Sequence, residues 1–167
     1  MPAKVTRTIF KYHPNFVQIF ESSAERTARK FLRVRCERMS QELKDDILGQ
    51  RRNWYPLDPK YLAQKVREGY DPRILIRTKQ YVENIQVYED PGVPVVFRVS
   101  VPDGDHNSGL PFTEIGRILE FGRRDGKKPY ARPHWRPVWG LFIRDLPTVK
   151  SQFGTEILTD FRQQISG

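Results

Sequence analysis

The sequence predicts an α+β domain in which a small antiparallel β-sheet packs with a long N-terminal helix, short helices and a C-terminal helix. Apolar residues recur every three to four positions between 23 and 48, which is the spacing of one helical face. Two apolar runs, 84–88 and 93–101, flank a turn composition at 89–92, which predicts a β-hairpin. A chain of 167 residues can form its own hydrophobic core, so we expect a single domain over residues 1–167.

Composition excludes several classes of protein. Apolar residues make up 38% of the chain and charged residues 29%, so we expect a globular protein with a heavily solvated surface. No window of about 18 apolar residues is present, which excludes a membrane-spanning helix. The first residues, 1–16, lack the apolar run of a secretory signal. The single cysteine, Cys36, cannot form an internal disulfide, and this fits a reducing compartment.

The formal net charge of +9 is unevenly distributed along the chain. Residues 1–40 hold nine Lys or Arg and three Asp or Glu, whereas the two charge types nearly balance over 41–100. A second basic cluster lies at 123–128. This bias favours contact with phosphate or with an acidic protein surface, and the alternative is a charge that serves solubility alone.

The long helix is the most strongly patterned element. Ser22 and Glu25 have the spacing of a capping box, so we expect an N-terminal arm over residues 1–21 and a helix from 23 to 48 that stops near Gly49. Its predicted apolar face holds Ala28, Leu32, Cys36, Met39, Leu43 and Ile47. Its predicted basic face, which is either solvated or in contact with nucleic acid, holds Arg26, Arg29, Lys30, Arg33 and Arg38.

Shorter elements follow the long helix. Asp58 and Pro59 are a typical N-cap and first helical residue for a second helix that ends at Gly69, with Leu62 and Val66 on its buried side. The remaining predicted elements are a helical turn at 78–82, a protruding polar loop at 102–110, a short helix at 112–121 and a final helix over about 147–165.

The segment from Glu120 to Pro137 is the most distinctive part of the sequence. An apolar stretch ends in Glu120-Phe121-Gly122, a basic loop containing glycine follows, and prolines at 129, 133 and 137 punctuate the rest. We therefore predict a stiff, positively charged, protruding arm over residues 122–137. Its interleaved aromatic and cationic residues suit a protein interface or stacking on single-stranded nucleic acid, and the prolines favour the interface.

These patterns define two sets of candidate functional residues. The expected subunit or partner interface comprises Glu120, Phe121, Gly122, Tyr130, Ala131, Arg132, Pro133, Trp135, Arg136 and Pro137. The expected docking or DNA-facing basic residues are Arg123, Arg124, Lys127 and Lys128 in the arm, and Arg26, Arg29, Lys30 and Arg33 on the long helix.

The sequence carries no pattern typical of an enzyme. The loop at 103–106 contains two aspartates and a histidine, which could bind a hard metal ion, but this composition is more often a plain turn. Cys36 falls on the apolar face of the long helix and is expected to be a buried structural thiol. Glu114 and Glu120 lie on different sides of one helix and do not converge, and Glu120 is interpreted as a solvent or interface carboxylate. We therefore predict no catalysis, no metal and no cofactor.

Two segments resemble a family of phage proteins. In the first, residues 56–85, the motif is a Leu-Ser/Asp-Pro helix start, a lysine at the helix end and a Leu-Ile-x-Thr-Gly step into a strand. The matching residues are Leu57, Asp58, Pro59, Lys65, Leu75, Ile76 and Thr78. Lys79 stands where the family commonly has glycine. In the second segment, the residues that match a Glu-Phe-Gly stop, Ala-Arg-Pro and Arg-Pro are Glu120, Phe121, Gly122, Ala131, Arg132, Pro133, Arg136 and Pro137. On these motifs the chain resembles bacteriophage tail-completion, or head-to-tail joining, proteins of the minor tail component type.

The resemblance implies a non-enzymatic structural protein of the tailed-phage neck, assembled in the host cytoplasm and found in the virion. It implies a homo-oligomeric ring, expected to be a hexamer, through which genomic double-stranded DNA passes. The implied partners are further copies of the chain, tail-terminator or tail-tube proteins, and head-completion or portal proteins, with no membrane and no cofactor. The alternative from composition is a sequence-independent nucleic-acid-binding module that uses the basic face of helix 23–48.

Overall fold

The computed structural model describes residues 16–76, 79–93, 95–102, 104–105, 109–122 and 130–166. Over these residues the elements are α1 (Phe16–Leu48), α2 (Pro59–Arg67), α3 (Gln80–Glu83), β1 (Gln86–Glu89), β2 (Phe97–Ser100), α4 (Phe112–Phe121), α5 (Trp135–Arg144) and α6 (Leu146–Ser166). The predicted fold class is confirmed, because a long N-terminal helix and a C-terminal helix accompany a two-stranded antiparallel sheet. Among the helices described, none is long and apolar enough to cross a membrane.

The hydrophobic core lies between the C-terminal half of α1, the hairpin and the helices α3 to α5. Leu43 and Ile47 of α1 are fully buried, as the sequence predicts. The Ser40 hydroxyl donates to the Ile85 carbonyl oxygen (3.3 Å) and ties α1 to the start of the hairpin. In that hairpin β1 and β2 pair antiparallel, with Val87 opposite Val99, so the predicted hairpin is confirmed.

The N-terminal half of α1 packs against α6 instead of the core. The Phe20 ring meets the Phe161 ring edge-on, with centroids 5.4 Å apart, and the Phe31 and Phe153 centroids are 5.5 Å apart. The order of these contacts makes the two helices antiparallel. This change of partner explains why Leu32, on the predicted apolar face, is exposed.

The start of α1 differs from the prediction. Helix α1 already includes Phe16, the first described residue, so residues 16–21 belong to the helix and not to an N-terminal arm. Ser22 is not a cap, since its hydroxyl donates to the Ile19 carbonyl oxygen (3.0 Å), a bond made inside a helix. Packing on α6 stabilises this first part of α1 and overrides the local capping pattern. The rest of the predicted arm, residues 1–15, lies outside the described residues.

Helix α2 begins where the sequence predicts but buries a different face. Leu62 and Val66, the predicted buried residues, are 37% and 58% exposed, whereas Lys65 is 3% exposed. The Lys65 ammonium donates to the carbonyl oxygens of Arg73 (2.9 Å) and Ile76 (2.8 Å). These hydrogen bonds replace part of the hydration that a buried ammonium loses. The helix is thus held to the chain by a lysine, and its apolar side chains are left on the surface.

Segment 122–137 is not an extended arm throughout. Residues 135–137 open helix α5, where Pro137 lies in the first turn and its missing N–H is not needed. Ahead of them, Arg132 and His134 are buried. The predicted protruding arm is therefore wrong for this C-terminal part, because side chains on both sides of Pro133 point into the protein. Residues 123–129 lie outside the described residues.

Other boundaries agree with the sequence patterns. Asp58 caps α2 by accepting from the Lys60 N–H (3.0 Å), and α4 covers the predicted 112–121. Helix α6 covers the predicted 147–165, although Ile165 is exposed. In the predicted loop at 102–110, the described residues 104, 105, 109 and 110 are exposed.

The backbone conformation of Lys79 leads to a testable prediction about stability. Its backbone is left-handed (φ 62°) at the start of α3, a conformation that costs a residue with a Cβ atom about 1 kcal/mol or more. We predict that K79G raises the free energy of unfolding by about 1 kcal/mol. K79A removes the same charge but keeps the Cβ atom, so it should give no such gain in urea denaturation. Equal stability of K79G and K79A would contradict the prediction.

Candidate functional site

The distinctive segment around Glu120 forms an internal clasp, which we define as Tyr81, Glu120, Arg132, His134, Trp135 and Arg136. At its centre, the buried Glu120 carboxylate at the end of α4 accepts from three backbone N–H groups at the start of α5. The distances are 2.8 Å from His134, 3.0 Å from Trp135 and 3.2 Å from Arg136. The first N–H groups of a helix have no partner within the helix, and a negative charge near them is favourable. Glu120 therefore caps α5 from another helix.

Besides capping α5, Glu120 forms an ion pair with Arg136. The Arg136 Nε–H donates to Glu120 Oε1 at 2.9 Å, and one of its terminal N–H groups donates to the Glu120 carbonyl oxygen at 3.4 Å. Burial by itself raises the pKa of Glu120, but the hydrogen bonds from His134, Arg136 and Trp135 outweigh it, so the pKa is lowered. The carboxylate is ionised in the folded protein at neutral pH.

His134 connects the clasp to α3. Its ring is fully buried, with Nδ1 3.2 Å from the Arg132 carbonyl oxygen and Nε2 2.9 Å from the Tyr81 hydroxyl. A carbonyl only accepts, so this network assigns the proton to Nδ1 and makes Nε2 the acceptor of the Tyr81 hydroxyl. The Trp135 Nε1–H in turn donates to the Tyr81 oxygen (3.0 Å). The neutral ring therefore satisfies every partner.

Burial sets the protonation of both rings. It lowers the pKa of His134, and this effect outweighs the Arg132 carbonyl and the Glu120 carboxylate, which favour the charged ring. Burial also raises the pKa of Tyr81 to about 12, helped by the Glu120 charge and opposed by the Trp135 hydrogen bond. Both groups are neutral across the physiological range.

The clasp also fixes the linker between α1 and α2. The buried Arg132 guanidinium donates to the carbonyl oxygens of Tyr55 (3.0 Å) and Pro56 (3.3 Å). The Trp54 indole N–H donates to the Pro133 carbonyl oxygen (2.9 Å). Segment 130–134 is thus hydrogen-bonded to a part of the chain more than seventy residues earlier.

Two glycines allow this close packing. Gly122 has a φ of 77°, and a Cβ atom there would lie 3.1 Å from the Ala131 backbone nitrogen. A Cβ atom on Gly116 would lie 3.0 Å from the Tyr81 hydroxyl oxygen. The Glu-Phe-Gly stop therefore has a structural reason: Glu120 caps α5, and Gly122 lets the chain leave α4 beside Ala131.

The arrangement of a carboxylate, an imidazole and a phenol resembles a proton relay, but it is closed. Glu120, His134 and Tyr81 are all buried, and their hydrogen bonds run among themselves and to backbone and side-chain groups of residues 132–136. The geometry is therefore that of a structural network.

The sequence offered three other candidate groups for chemistry: a metal loop, the Cys36 thiol, and the carboxylates of Glu114 and Glu120. The described residues contain no group of three or more His, Cys, Asp or Glu that could hold a metal ion. Asp103 and His106, two of the three residues of the suggested metal loop, lie outside the described residues. Cys36 is half-buried, and burial together with the Glu37 charge raises its pKa, which disfavours the nucleophilic thiolate. Glu114 pairs with Arg117 and does not approach Glu120.

The predicted interface residues divide into an inner and an outer group. Glu120, Gly122 and Arg132 lie inside the chain with intramolecular partners, so we remove them from the predicted interface. The interpretation of Glu120 as a solvent or interface carboxylate is wrong, because α5 covers it. The half-buried residues of the set are Pro133, Trp135 and Pro137. The exposed ones are Phe121, Tyr130, Ala131 and Arg136.

Two exposed aromatic residues, Phe121 and Tyr130, lie near the two ends of segment 123–129 in the sequence. The Arg136 guanidinium stacks over the Phe121 ring at 5.1 Å, and the Tyr130 ring meets the Tyr55 ring at 4.6 Å. In the sequence Phe121 stands two residues before that segment and Tyr130 directly after it, so an exposed aromatic side chain lies next to the clasp on each side of the segment. Phe121 and Tyr130 are thus the exposed aromatic residues of the segment from Glu120 to Pro137 that could contact a partner.

The predicted basic face of α1 is largely paired within the chain. Its ion pairs are Arg26 with Asp160, Arg29 with Glu25 and Glu89, and Arg33 with Glu37. Such exposed pairs contribute little stability, but they reduce the net positive field of the helix. The other predicted basic residues, Arg123, Arg124, Lys127 and Lys128, lie outside the described residues.

A groove of about 660 Å³ runs between α1 and α6. Lys30, Phe31 and Val34 line the α1 side, and Glu156 and Asp160 line the α6 side. Cations on one wall and carboxylates on the other make it a mixed surface with no single ligand charge. Of the two remaining residues of the predicted basic face, Lys30 therefore belongs to this groove, and Arg38 is exposed and does not line it.

Sequence reasoning missed Tyr81 and the cap formed by Glu120. The sequence did contain a signal for the cap. A glutamate stands just before the glycine that ends one helix, and His134-Trp135 opens the next apolar stretch. Tyr81 had no such signal, because it is 53 residues from His134.

Comparison of the chain with protein-family models, with curated sequences and with solved structures finds no match.

The burial of His134 predicts an acid-sensitive fold. Its folded-state pKa is below the unfolded value of about 6.5, so the unfolded chain takes up a proton first as the pH falls. Below about pH 6.5 the free energy of unfolding should drop by up to about 1.4 kcal/mol per pH unit. Protonation of Glu120, whose pKa is also lowered, adds a further loss below about pH 4.3.

Urea denaturation at a series of pH values measures this slope. The H134Q variant is expected to be less stable at neutral pH and to lose the part of the slope just below about pH 6.5. His13 and His106 are retained in both proteins and serve as the internal control. An identical slope in both proteins would show that His134 is not the group responsible.

Removing the charge of Glu120 should destabilise the protein strongly. In E120Q an amide replaces a carboxylate that accepts from the start of α5 and from Arg136, so we predict a loss of about 3 kcal/mol. The matched variant E114Q weakens the partly exposed pair with Arg117 and should cost about 0.5 kcal/mol or less. Chemical denaturation at neutral pH compares the two; similar losses would argue against the cap.

Proposed function

We propose that the chain is a non-enzymatic structural subunit of the tailed-phage neck, a tail-completion or head-to-tail connector protein that forms a ring around the DNA path. Its partners are other copies of itself, a tail-terminator or tail-tube protein and a head-completion or portal protein. It assembles in the host cytoplasm and is retained in the virion. The clasp is the single observation that carries this proposal.

The clasp supports the proposal because it gives the family-like motif a physical role. Glu120 and Arg132, which match the motif, make hydrogen bonds that hold α4, α5 and the α1–α2 linker together. Phe121 and Tyr130 are left exposed at the two ends of segment 123–129. A hydrogen-bonded base that presents two exposed aromatic residues is suited to docking on a neighbouring subunit.

Lys79 agrees with the glycine position of the family pattern, although helix α3 and not a strand follows it. The family pattern has glycine at this position, and Lys79 adopts the left-handed backbone that favours glycine. A position chosen only from a sequence pattern thus has the backbone that the pattern requires. Adjacent residues 77 and 78 lie outside the described residues.

The alternative, a sequence-independent nucleic-acid-binding module, is less well supported. It depends on the basic face of α1, where three of the predicted cations are engaged in ion pairs with Asp160, Glu25, Glu89 and Glu37. Binding to duplex DNA that weakens steeply with salt would favour this alternative.

The test begins with purified virions of the phage that encodes the chain. Quantitative mass spectrometry should find the protein in intact particles at about half the copy number of the portal, as expected for a six-fold ring on a twelve-fold one. Absence from intact particles would overturn the proposal and leave the nucleic-acid module as the better hypothesis.

The exposed aromatic pair gives a matched mutational test. F121S and Y130S should fold normally by circular dichroism but leave heads and tails unjoined in electron micrographs. Y61S changes a residue of similar exposure on α2, 40% against 41% for Tyr130, and should assemble normally. If F121S and Y130S join heads to tails as efficiently as Y61S, the aromatic pair is not the docking element.

A further inference from the structure

The β-hairpin presents unpaired backbone groups along the outer edge of β2. In an antiparallel pair, residue pairs that exchange backbone hydrogen bonds alternate with pairs that do not. The Asp90 N–H donates to the Val96 carbonyl oxygen (2.9 Å), so every second residue of the strand counted from Val96 bonds to β1. The residues between them, Phe97 and Val99, therefore direct their N–H and C=O groups away from β1.

These outward groups are left open by the rest of the described chain. Within it, neither the Phe97 N–H nor the Val99 N–H has a hydrogen-bond partner. The described strands pack on each other and on α1, and no other described helix packs extensively along them. An open strand edge of this kind is a template for the backbone of a further strand.

Contacts with α1 fix the direction of the hairpin. The Ile85 carbonyl oxygen, just before β1, accepts from the Ser40 hydroxyl (3.3 Å), whereas Glu89, at the end of β1, pairs with Arg29. Strand β1 therefore runs antiparallel to α1, and β2 runs in the same direction as α1. The turn of the hairpin lies at the end that is nearer the start of α1.

The sequence ahead of α1 contains a segment typical of a strand. Residues 1–15 lie outside the described residues, but four of the five residues at 5–9 are β-branched: Val5, Thr6, Thr8 and Ile9. Neither proline nor glycine occurs between residues 3 and 13. This composition has high strand propensity and carries no turn signal.

The connection to α1 is long enough to bring this segment to β2. Phe16 lies thirteen residues before Arg29, which is about 20 Å along the helix. An extended chain covers about 3.3 Å per residue, so residues 10–15 span that distance. Residues 5–9 then run antiparallel to β2. Beside β1 they would run parallel, a pairing that is slightly less stable per residue.

We propose that residues 5–9 add to the free edge of β2 as a third strand, in the same chain and antiparallel to β2. Their backbone groups pair with the outward groups of Phe97 and Val99, as when an extended peptide adds to a sheet edge. The short connection holds the segment at an effective concentration of about 1 mM, which favours the chain's own residues over those of a second copy. The inference does not depend on a role in a phage neck.

Hydrogen exchange at single amides, measured by NMR on the isotope-labelled full-length protein, tests this pairing. We expect the amides of Phe97 and Val99 to exchange at least about tenfold more slowly than those of Val87 and Glu89, after correction for intrinsic rates. Val87 and Glu89 point out of the opposite edge of the same hairpin and are the internal control. Equal exchange at the two edges would overturn the proposal.

Proline variants show whether residues 5–9 cause the protection. R7P/T8P places proline at adjacent positions, one of which donates to β2 in either register, so exchange at Phe97 and Val99 should become at least about tenfold faster. A3P/K4P also introduces two prolines and removes one positive charge, but it lies outside the strand and should leave the protection unchanged. Protection that survives R7P/T8P, that is lost equally in A3P/K4P, or that appears only at concentrations where light scattering detects a dimer would overturn the proposal.

Discussion

The structure depends on one carboxylate that caps a helix to which it does not belong. Glu120 ends α4 and satisfies the first N–H groups of α5, so two helices separated by a basic segment are joined at a buried point. Helix α5 leads directly into α6, and α6 packs along α1. The position of the C-terminal third of the chain therefore follows from a single charged group, its partner Arg136 and the neutral ring of His134.

Elements that local patterns specify were predictable from the sequence. The hairpin, α4 and α6 follow from alternation and helical periodicity, and Asp58 with Pro59 marks the start of α2. Features decided by distant partners were not predictable. Packing on α6 moves the start of α1 ahead of Ser22, and the carbonyls of Arg73 and Ile76 bury Lys65 in place of Leu62 and Val66. Periodicity records which side chains are apolar, not which polar ones find internal partners.

The same limit applies to the candidate site. A pattern of glutamate, arginine and tryptophan around a basic loop is equally typical of an exposed interface and of a buried polar network. Tyr81 distinguishes the two cases, because its hydroxyl accepts a hydrogen bond from the Trp135 indole N–H and donates one to His134 Nε2. It lies more than fifty residues earlier in the chain, however, so no local pattern reveals it. Of the predicted interface residues, Phe121, Tyr130, Ala131 and Arg136 are exposed in the structure.

Helix α1 has two halves with very different surroundings. Its C-terminal half lies in the apolar core, whereas its N-terminal half meets α6 through a few rings, the buried Ser23 and Thr27, and a groove open to water. Separation of α6 from α1 therefore exposes far less apolar surface than opening of the core does. We therefore expect two regions of different stability along one continuous helix: the core around its C-terminal half and the pair with α6 around its N-terminal half.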